Sequence, residues 1–360
     1  MIDPRLVPDG GMGWLEASGP ASHLVISTRI RLARNLRHHR FATRSDPAER
    51  GVVLAEVERA ASRTERLGHA ARFRLDQLEL VDRQLLHERH LVSRELAGTE
   101  PGTRLRAGGA LLVQDAASVM VNEEDHLRLQ TLRSGFALDS AWEQVAALDR
   151  ELGGLLPYAF HQEFGYLTSC PTNVGTGLRA SVLVHLPGLV LTKEINKILQ
   201  GLTQVGLTFR GLYGEGSEVL GSFFQISNQT TLGRSEEELV DHLASVVRHV
   251  IQREHEARRV LWRDAGYIIE DKLMRAYGTL RFARNLTFDD AMSLLSGVRL
   301  AVGLQLVQGL SVYTLNKLLI YSQPAHLAWA EGRELTEAEG DIARARFVRD
   351  TLADEMGPVQ

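Results

Sequence analysis

The sequence has 360 residues, of which 44% are hydrophobic and 24% charged, and its formal net charge is −4. These values are typical of a folded protein with one large domain or two, and the lack of a positive excess argues against a general nucleic-acid-binding role. The single cysteine excludes an internal disulfide, and its scarcity favours a reducing compartment.

No membrane or export segment is predicted. The longest apolar stretch, residues 180–192, is interrupted by His185 and Pro187, and it is shorter than the roughly 20 residues that cross a bilayer as a helix. The N-terminal sequence MIDPRLVPDGG lacks the apolar core of a secretion signal. We therefore expect a soluble, cytoplasmic protein without a membrane partner.

Strand and helix patterns are mixed in the part of the chain before Ser235. Short apolar and alternating runs predict strands, and longer periodic segments predict helices. Strands are expected at residues 24–30, 75–81, 111–121 and 223–233, and helices at 47–66 and 185–201.

Ser235 begins a region in which helical periodicity dominates. Ser235 and Glu238 have capping-box spacing, so each side chain can satisfy a free backbone N–H at the start of a helix. Turns are expected at Gly278, Gly297, Pro324 and Gly332. The predicted fold class is α+β, with a mixed domain at residues 1–255 followed by an all-helical domain at 256–360.

The segment STRIR, residues 27–31, holds two arginines on one strand. Because residues two apart project from the same face of a strand, Arg29 and Arg31 could form an anion clamp, since guanidinium groups pair well with phosphate oxygens. The alternative is a solvated strand face with surface arginines.

Three consecutive acids follow a predicted buried strand in VNEEDHLR, residues 121–128. Glu124 and Arg128 have the i,i+4 spacing of a surface helix pair, which contributes only about 0.2–0.5 kcal/mol. Acids at the end of a buried strand, however, also occupy a position that is typical of functional sites. The pattern leaves both interpretations open.

Two further segments combine glycines with arginine. In CPTNVGTGLR the turn at residues 175–177 offers backbone N–H groups and is followed by Arg179, but it lacks the spacing of a P-loop. A Cys–His catalytic pair that includes Cys170 remains open. In FRGLYGEGSE a glycine-rich loop carries Arg210 and Glu215, and it is either a mobile loop that closes over a substrate or a surface turn.

Taken together, these residues suggest phosphoryl transfer to a cationic acceptor. Five arginines could surround a triphosphate, and Glu124 and Glu215 could hold the acceptor. Phosphoryl transfer needs mainly positioning and charge neutralisation, with Mg²⁺ bridging the phosphates. The five arginines are Arg29, Arg31, Arg128, Arg179 and Arg210.

The segments STRIRLARN, NEEDHLR, CPTNVGTGLR, RGLYGEGSE and ISNQ resemble, in this order, the motifs of the ATP:guanidino phosphotransferases, the creatine and arginine kinase superfamily. The resemblance covers residues 14–255 and implies an antiparallel sheet flanked by helices. The sequence is most similar to the bacterial protein-arginine kinase branch. The helical domain that precedes the S-T-R-x-R strand in metabolite kinases is not expected before Ser27, and an extension follows the kinase body.

The resemblance implies a role for each motif residue. The five arginines would bind the phosphates of ATP, and Mg²⁺ would be carried by the nucleotide rather than by protein ligands. Glu124 would be the general base, Glu215 a second carboxylate on the acceptor guanidinium, and Cys170 an orienting group that forms no covalent bond. Supporting residues would be Ser27, His126, Asn173, Gly175 and Thr176.

For the C-terminal region the resemblance implies dimerisation and phosphoarginine sensing. The sensing motif of the branch is R-D-x-x-R-A, and GDIARA at residues 340–345 retains Asp341, Arg344 and Ala345 but has Gly340 in place of the first arginine. An ordinary surface helix is the alternative.

The partners implied are proteins with exposed arginines, a zinc-finger activator and a Clp-type protease or chaperone, in a role that marks proteins for degradation or regulates the stress response. Two other functions are kept as alternatives. One is a small-molecule guanidino kinase, and the other is a catalytically idle adaptor that binds phosphoarginine.

Overall fold

The computed structural model describes residues 12–41, 44–99, 105–212 and 220–356. Within these residues the central element is an eight-stranded sheet in the order β2-β3-β4-β5-β1-β8-β10-β9, and every pairing in it is antiparallel. A separate two-stranded hairpin comprises β6 and β7. The strands are β1 (Val25–Arg34), β2 (Ala71–Arg74), β3 (Ala110–Gln114), β4 (Ala117–Val121), β5 (Leu127–Ser134), β6 (Phe160–His161), β7 (Gly165–Tyr166), β8 (Leu178–His185), β9 (Leu207–Arg210) and β10 (Phe223–Asn228).

Helices flank the sheet and make up the C-terminal part of the chain, as predicted. They are α1 (Pro47–Ala61), α2 (Leu80–Glu88), α3 (Arg94–Ala97), α4 (Leu138–Gly153), α5 (Pro187–Leu191), α6 (Ile195–Gln204), α7 (Glu236–Phe282), α8 (Phe288–Gly303), α9 (Val312–Tyr321), α10 (Pro324–Glu331) and α11 (Glu337–Met356). No helix among the described residues is long and apolar enough to cross a membrane.

The two faces of the sheet differ in chemistry. One face is apolar: Ile30, Leu129 and Val182 lie in a buried cluster with Val145 of α4 and Leu243 of α7. This burial fixes the register of the strands, since a slip by one residue would turn the apolar set towards solvent. The opposite face therefore presents the alternate residues of the same strands.

The C-terminal helices cover one end of that opposite face. Ile26, Leu183 and Phe223 belong to a second buried cluster, together with Leu295 and Val298 of α8. The remaining part of the face is left to polar and charged side chains, and it forms the site described below.

Two predicted strands are wrong. Residues 75–81 were expected to be extended, but the strand is Ala71–Arg74 and the segment continues as a short 3₁₀ helix and the start of α2. Residues 111–121 form two strands, β3 and β4, in a hairpin rather than one. Asp115 at the turn adopts a left-handed conformation with φ of 51°, which the apolar pattern on either side does not reveal.

Other boundaries are partly right. The predicted helix at 185–201 is two helices after the last residue of β8, and the strand expected to reach Gly233 ends at Asn228. Gly278 and Gly297 lie inside helices rather than in turns. Pro324 at the start of α10 and Gly332 at its left-handed C-terminal end are confirmed as boundaries.

The capping box at Ser235 and Glu238 is confirmed, and it begins a 47-residue helix. This helix, α7, continues without a break through residue 255, where the domain boundary was predicted. Its one non-helical residue is Ala265, with φ of −141°. Buried hydrophobic residues of α7 up to Ala257 pack in the first cluster, and those from Ile269 onwards pack in the second. The division at residue 255 stays a prediction.

Candidate active site

The register of the sheet brings arginines from four strands to one face. Arg31 on β1 lies opposite Arg179 on β8, and Ala33 lies opposite Arg128 on β5. Because residues directly opposite one another in an antiparallel pair project to the same side, Arg29, Arg31, Arg128 and Arg179 share the polar face. Arg210 on β9 lies on the polar face as well. It is opposite Gln225 on β10, and Gln225 is opposite Leu183, which is on the same side of β8 as Arg179.

These guanidinium groups are close enough to affect one another. Burial, followed by the charges of Arg179 and Arg128, lowers the pKa of Arg29 to about 10. Burial and the same neighbours, together with Arg29, hold the pKa of Arg31 well below its usual range. We call the four residues Arg29, Arg31, Arg128 and Arg179 the arginine cluster.

The arginine cluster has neutral neighbours as well as acidic ones. Arg29 Nη2 donates to Gln225 Oε1 at 2.8 Å, and Arg179 Nη2 donates to Ser227 Oγ at 3.2 Å. Neutral partners orient a guanidinium but do not neutralise it. A polyanion placed on this face would relieve the repulsion between the cations, so the geometry favours a phosphate-bearing ligand.

The acids of N-E-E-D-H have different environments. Glu123 is buried and accepts from Arg128 Nη1 at 2.8 Å. Burial acts to raise its pKa, but Arg128 and the backbone N–H of Glu124 outweigh burial and lower it. Glu124 accepts from Arg128 Nη2 at 3.2 Å, and its side chain is 38% exposed. Burial raises the pKa of Glu124, and Arg128 opposes the rise only in part.

Glu124 also meets the only cysteine of the chain. The side chain of Cys170 lies close enough to the Glu124 carboxylate to lower its pKa, against the larger effect of burial, and Cys170 Sγ lies 3.0 Å from Thr172 Oγ1. Asp125 Oδ1 accepts from the backbone N–H of Ser169 at 2.6 Å and so fixes the loop that carries the thiol. The fold therefore brings Glu124 and Cys170 together at the edge of the arginine cluster, which no local motif specifies.

His126 has a structural environment. Its Nδ1 accepts from the backbone N–H of Leu36 at 3.0 Å, so its Nε2 carries the proton and donates to the carbonyl of Arg40 at 3.0 Å. Burial lowers its pKa, which is consistent with a neutral ring. His126 supports the loop between β4 and β5 from behind.

Two of the three amides in the turn at residues 175–177 are not available to a ligand, contrary to expectation. Gly175 N donates to Tyr166 O and Thr176 N donates to Thr231 O, so both donors are already used. Gly175 has φ of 112°, and a Cβ there would lie 2.3 Å from Thr231 O. The turn is thus a rigid support that leads into Arg179.

The other predicted supporting residues flank the site. Ser27 lines a small cavity together with Arg29 and Gln225, and Asn173 ends the 3₁₀ turn that follows Cys170. Glu215 lies outside the described residues. Within the described ranges, no three His, Cys, Asp or Glu side chains are grouped so as to hold a metal ion.

Sequence reasoning missed three residues at this face, namely His90, Gln225 and Ser227. Gln225 and Ser227 are two apart on β10, so the alternation of FFQISN could have indicated them. His90 follows α2 and lines the same cavity as Arg29. Burial and the charge of Arg29 hold its pKa well below its usual range. No local signal marks it.

The predicted sensing residues lie in α11. Arg344 is buried and donates from Nε to Ser322 O at 2.8 Å, and from Nη1 to Leu286 O at 2.8 Å and to Asp341 Oδ1 at 2.6 Å. Ala345 is fully buried. A Cβ at Gly340 would meet nothing within 4 Å. Arg344 thus joins α11 to the segments before α8 and α10, and sensing stays a prediction.

The fold and site define a class of phosphotransferase that acts on guanidino groups. Residues 53–257 match the ATP:guanido phosphotransferase C-terminal catalytic domain, and residues 267–359 match the protein-arginine kinase McsB C-terminal domain. The chain belongs to the ATP:guanido phosphotransferase family.

Relatives that match along almost the whole chain are named protein-arginine kinases. The chain is 46% identical to that of Moorella thermoacetica, over 94% of this chain and 97% of the relative. It is 44% identical to that of Brevibacillus brevis, over 98% of each chain, and 42% identical to that of Bacillus subtilis, over 98% of this chain and 96% of the relative.

Solved structures of similar fold include two kinases of other names. A lombricine kinase matches with a TM-score of 0.58 and 25% identity, over 67% of this chain and 70% of that chain. The duplicated taurocyamine kinase from Schistosoma mansoni, solved with bound transition state analog components, matches with a TM-score of 0.59 and 26% identity. That match covers 66% of this chain but only 34% of the duplicated chain.

Proposed function

We propose that this protein is an ATP-dependent protein-arginine kinase, which transfers the γ-phosphate of ATP to the guanidinium group of arginine side chains in proteins. The observation that carries the proposal is the arginine cluster on one face of the sheet, with Glu124 and Cys170 in contact at its edge.

The arginine cluster would bind the phosphates of ATP, with Arg210 adding a fifth cation from β9. Burial and mutual repulsion lower the pKa of Arg29 to about 10, so it remains a cation at neutral pH. A nucleotide brings Mg²⁺ with it, and the ion would neutralise developing phosphate charge. The guanidinium groups would fix the polyphosphate and orient its γ-phosphorus towards Glu124.

Glu124 would bind the acceptor and take its proton. A free guanidinium has a pKa above about 12, so it is a cation and a poor nucleophile at pH 7. In the proposed step an N–P bond forms, the bond between the γ-phosphorus and the bridging oxygen breaks, ADP leaves, and the proton of the attacking nitrogen passes to Glu124. Cys170 would orient the guanidinium without becoming covalently modified, and Glu215 would be the second carboxylate on it.

The second candidate is a small-molecule guanidino kinase, which the likeness to a lombricine kinase and a taurocyamine kinase favours. The chemistry is the same, and only the acceptor differs. A protein acceptor is supported by the match of residues 267–359 to a domain that is named for protein-arginine kinases and by the names of the full-length relatives.

The partners belong to the same proposal. We infer a homodimer, because α7 exposes Tyr267, Ile268 and Phe282 and large exposed apolar side chains mark interaction sites. Four further proposals rest on the likeness to the protein-arginine kinase branch. They are sensing of phosphoarginine at Asp341 and Arg344, a zinc-finger activator, a Clp-type protease or chaperone, and a role in the stress response.

The deciding experiment compares two acceptors. The purified chain is incubated with Mg·ATP and either a casein-like protein or free L-arginine. Products are read by mass spectrometry without acid, because the N–P bond is acid-labile. Phosphate on protein arginine and not on the free amino acid is the expected result. Phosphate on free arginine alone would make the protein a small-molecule kinase, and ATP binding without any transfer would favour a binding adaptor.

A further inference from the structure

The start of α10 is capped by an acid from a distant part of the chain. Glu88, the last residue of α2, accepts from the backbone N–H groups of Ala325 at 2.8 Å and His326 at 3.1 Å. It also accepts from His326 Nδ1 at 2.7 Å. The residue before α10, Gln323, makes no capping bond of its own. The Glu88 carboxylate thus satisfies free amides at the positive end of the helix.

Arg89, the residue after Glu88, defines the protonation state of His326. Arg89 Nε lies 3.3 Å from His326 Nε2. Because an arginine Nε–H can only donate, His326 Nε2 is the acceptor, Nδ1 carries the proton, and the ring is neutral. All three side chains are buried: Glu88 is 8%, Arg89 5% and His326 6% exposed. We call this contact of Glu88 and Arg89 with His326 the latch.

The latch is connected to the arginine cluster by the next residue in the chain, His90. His90 follows Arg89 directly and has φ of 58°, a left-handed conformation that residues other than glycine rarely adopt unless their surroundings impose it. At the end of α2, His90 N donates a hydrogen bond to His87 O, and Leu91 N donates one to Leu86 O. The position of His90 therefore depends on where the end of α2 is held.

His90 contacts the arginine face through both backbone and ring. Its carbonyl accepts from Gln130 Nε2 at 2.8 Å, and Gln130 lies opposite Arg31 in the sheet. Its ring lines a cavity with Arg29 and Gln225. The ring also packs edge-on against Trp14, with the two ring centroids 5.5 Å apart. A shift of α2 would thus move one wall of the site.

We propose that Glu88 and His326 are positioning residues for the nucleotide site: by docking the end of α2 on the start of α10, they hold His90 against the arginine cluster. The helical C-terminal part then contributes to ATP affinity without touching ATP. The inference rests on the proposed function, because it takes the arginine cluster as the site of the phosphates.

The latch should weaken in acid. Three groups face the His326 ring: Arg89, Glu88 on α2 and Tyr321 on α9. A second proton on the ring would point Nε2–H at the Arg89 guanidinium, which cannot accept it. Burial lowers the pKa of His326 below 6.5, with the Glu88 hydrogen bond opposing the shift. The neutral ring is therefore present above pH 6.5, and the latch is lost as the pH falls through the lowered value.

The test measures Mg·ATP binding to the full chain by isothermal titration calorimetry. His326→Leu removes both contacts and should weaken binding by about tenfold. His326→Asn places an amide N–H near the position of Nδ1, so it should retain most of the affinity. His249→Leu is the matched control, since His249 is exposed on α7 and bonds only to a backbone oxygen of its own helix, and it should bind as wild type does. Circular dichroism establishes that each variant is folded.

The same titration separates a positioning role from a purely structural one. Wild-type affinity should stay constant down to pH 6.5 and fall as the pH is lowered further, relative to His326→Asn, which has no ring to titrate. A folded His326→Leu chain that binds ATP as wild type does would overturn the inference alone, while a wild-type chain that does not bind ATP would overturn it together with the proposed function. If His326→Leu does not fold, Glu88→Gln decides by the same criterion.

Discussion

Glu123 and Glu124 are adjacent carboxylates in different surroundings. Glu123 is held by Arg128 and by a backbone N–H, and both lower its pKa. Glu124 is less constrained, because 38% of its side chain reaches solvent. Burial of the rest of the side chain raises its pKa. Only Glu124 is placed to receive a proton from a ligand, so the geometry separates a structural acid from a chemical one.

The titration of Glu124 provides a prediction. Its carboxyl should titrate above 4.5, and replacing Arg128 by Met should raise the pKa further, because Arg128 stabilises the charged form. The measurement is a carbon-detected NMR titration of the side-chain carboxyl. Since the base must be deprotonated, transfer should be lost as the pH falls through this value.

Arg133 provides the control for that titration. It lies on β5 like Arg128 but opposite Thr28, so it projects to the other face of the sheet. Arg133→Met should leave the Glu124 titration where it is. A Glu124 pKa that falls, or that does not move, in Arg128→Met would contradict the assignment of Arg128 as its stabilising cation.

Cys170 is predicted to orient the acceptor rather than to attack it. Its side chain meets Glu124 and Thr172 Oγ1, so Cys170→Ser keeps a hydroxyl in the same network. Misplacing the acceptor slightly should lower kcat by about 10- to 100-fold, whereas loss of a nucleophile would abolish turnover. Steady-state kinetics of Cys170→Ser and Cys170→Ala check this. A phosphocysteine intermediate in the wild type would refute it.

At the residue level, part of this site was accessible from sequence. The arginines, Glu124 and Cys170 stand in specific motifs, so their chemistry could be predicted. The partners that orient them could not: Gln225 meets Arg29 across 196 positions of sequence. A contact of that kind is set by strand pairing, which local patterns do not encode.

At the level of elements, the turn before β8 connects the cysteine loop to the sheet. Arg34 Nη1 donates to Thr176 O at 2.8 Å, and Arg34 pairs with Asp149 of α4 at 2.7 Å. Thr176 Oγ1 also accepts from Leu178 N at 3.1 Å. The turn is therefore held in place by β1 and α4, and it determines the position of Arg179 near the start of β8.

A matched pair of glycine substitutions tests this rigidity. Gly175→Ala should lower the free energy of unfolding by about 1–3 kcal/mol, because φ is positive and the new Cβ would overlap Thr231 O. Gly278→Ala, inside α7 with nothing within 4 Å of the new Cβ, should instead stabilise the chain by about 0.5–1 kcal/mol. Urea unfolding of both variants measures the difference, and equal effects would show that the turn is not strained.

Element prediction succeeded where local chemistry determines the structure. The capping box at Ser235 and the strand that carries Arg29 are of this kind. It failed at residues 111–121, where Gln114 and Asp115 interrupt the apolar run at a tight hairpin, because two polar residues are also compatible with one continuous strand. It failed at Gly278 and Gly297 because tertiary packing overrides the weak helix propensity of glycine.

At the level of the whole molecule, α7 links two packed units. Its first part packs on the apolar face of the sheet, and its last part packs with the C-terminal helices. Further buried ties join the same two regions: Arg299 Nη2 donates to Ser22 O at 2.8 Å, and His185 Nε2 lies 2.8 Å from Ser296 Oγ. The helical part is therefore fastened to the sheet at several points.

This arrangement was only partly accessible from sequence. The order of a mixed part and a helical part could be predicted, since helical periodicity dominates after Ser235. The attachment could not, because contacts such as Glu88 with His326 join residues more than 200 positions apart. They also involve residue types that are common on surfaces.

The most direct test of the account is the substitution Glu124→Gln, with Glu143→Gln as a control on the exposed side of α4. The measurement is phosphoarginine formed from Mg·ATP on a protein acceptor, with ATP affinity recorded in parallel. Loss of transfer by at least about 10²-fold in Glu124→Gln, with ATP binding retained, is the predicted result. Transfer at near wild-type rate in Glu124→Gln would contradict the assignment of Glu124 as the base on which the proposed mechanism depends.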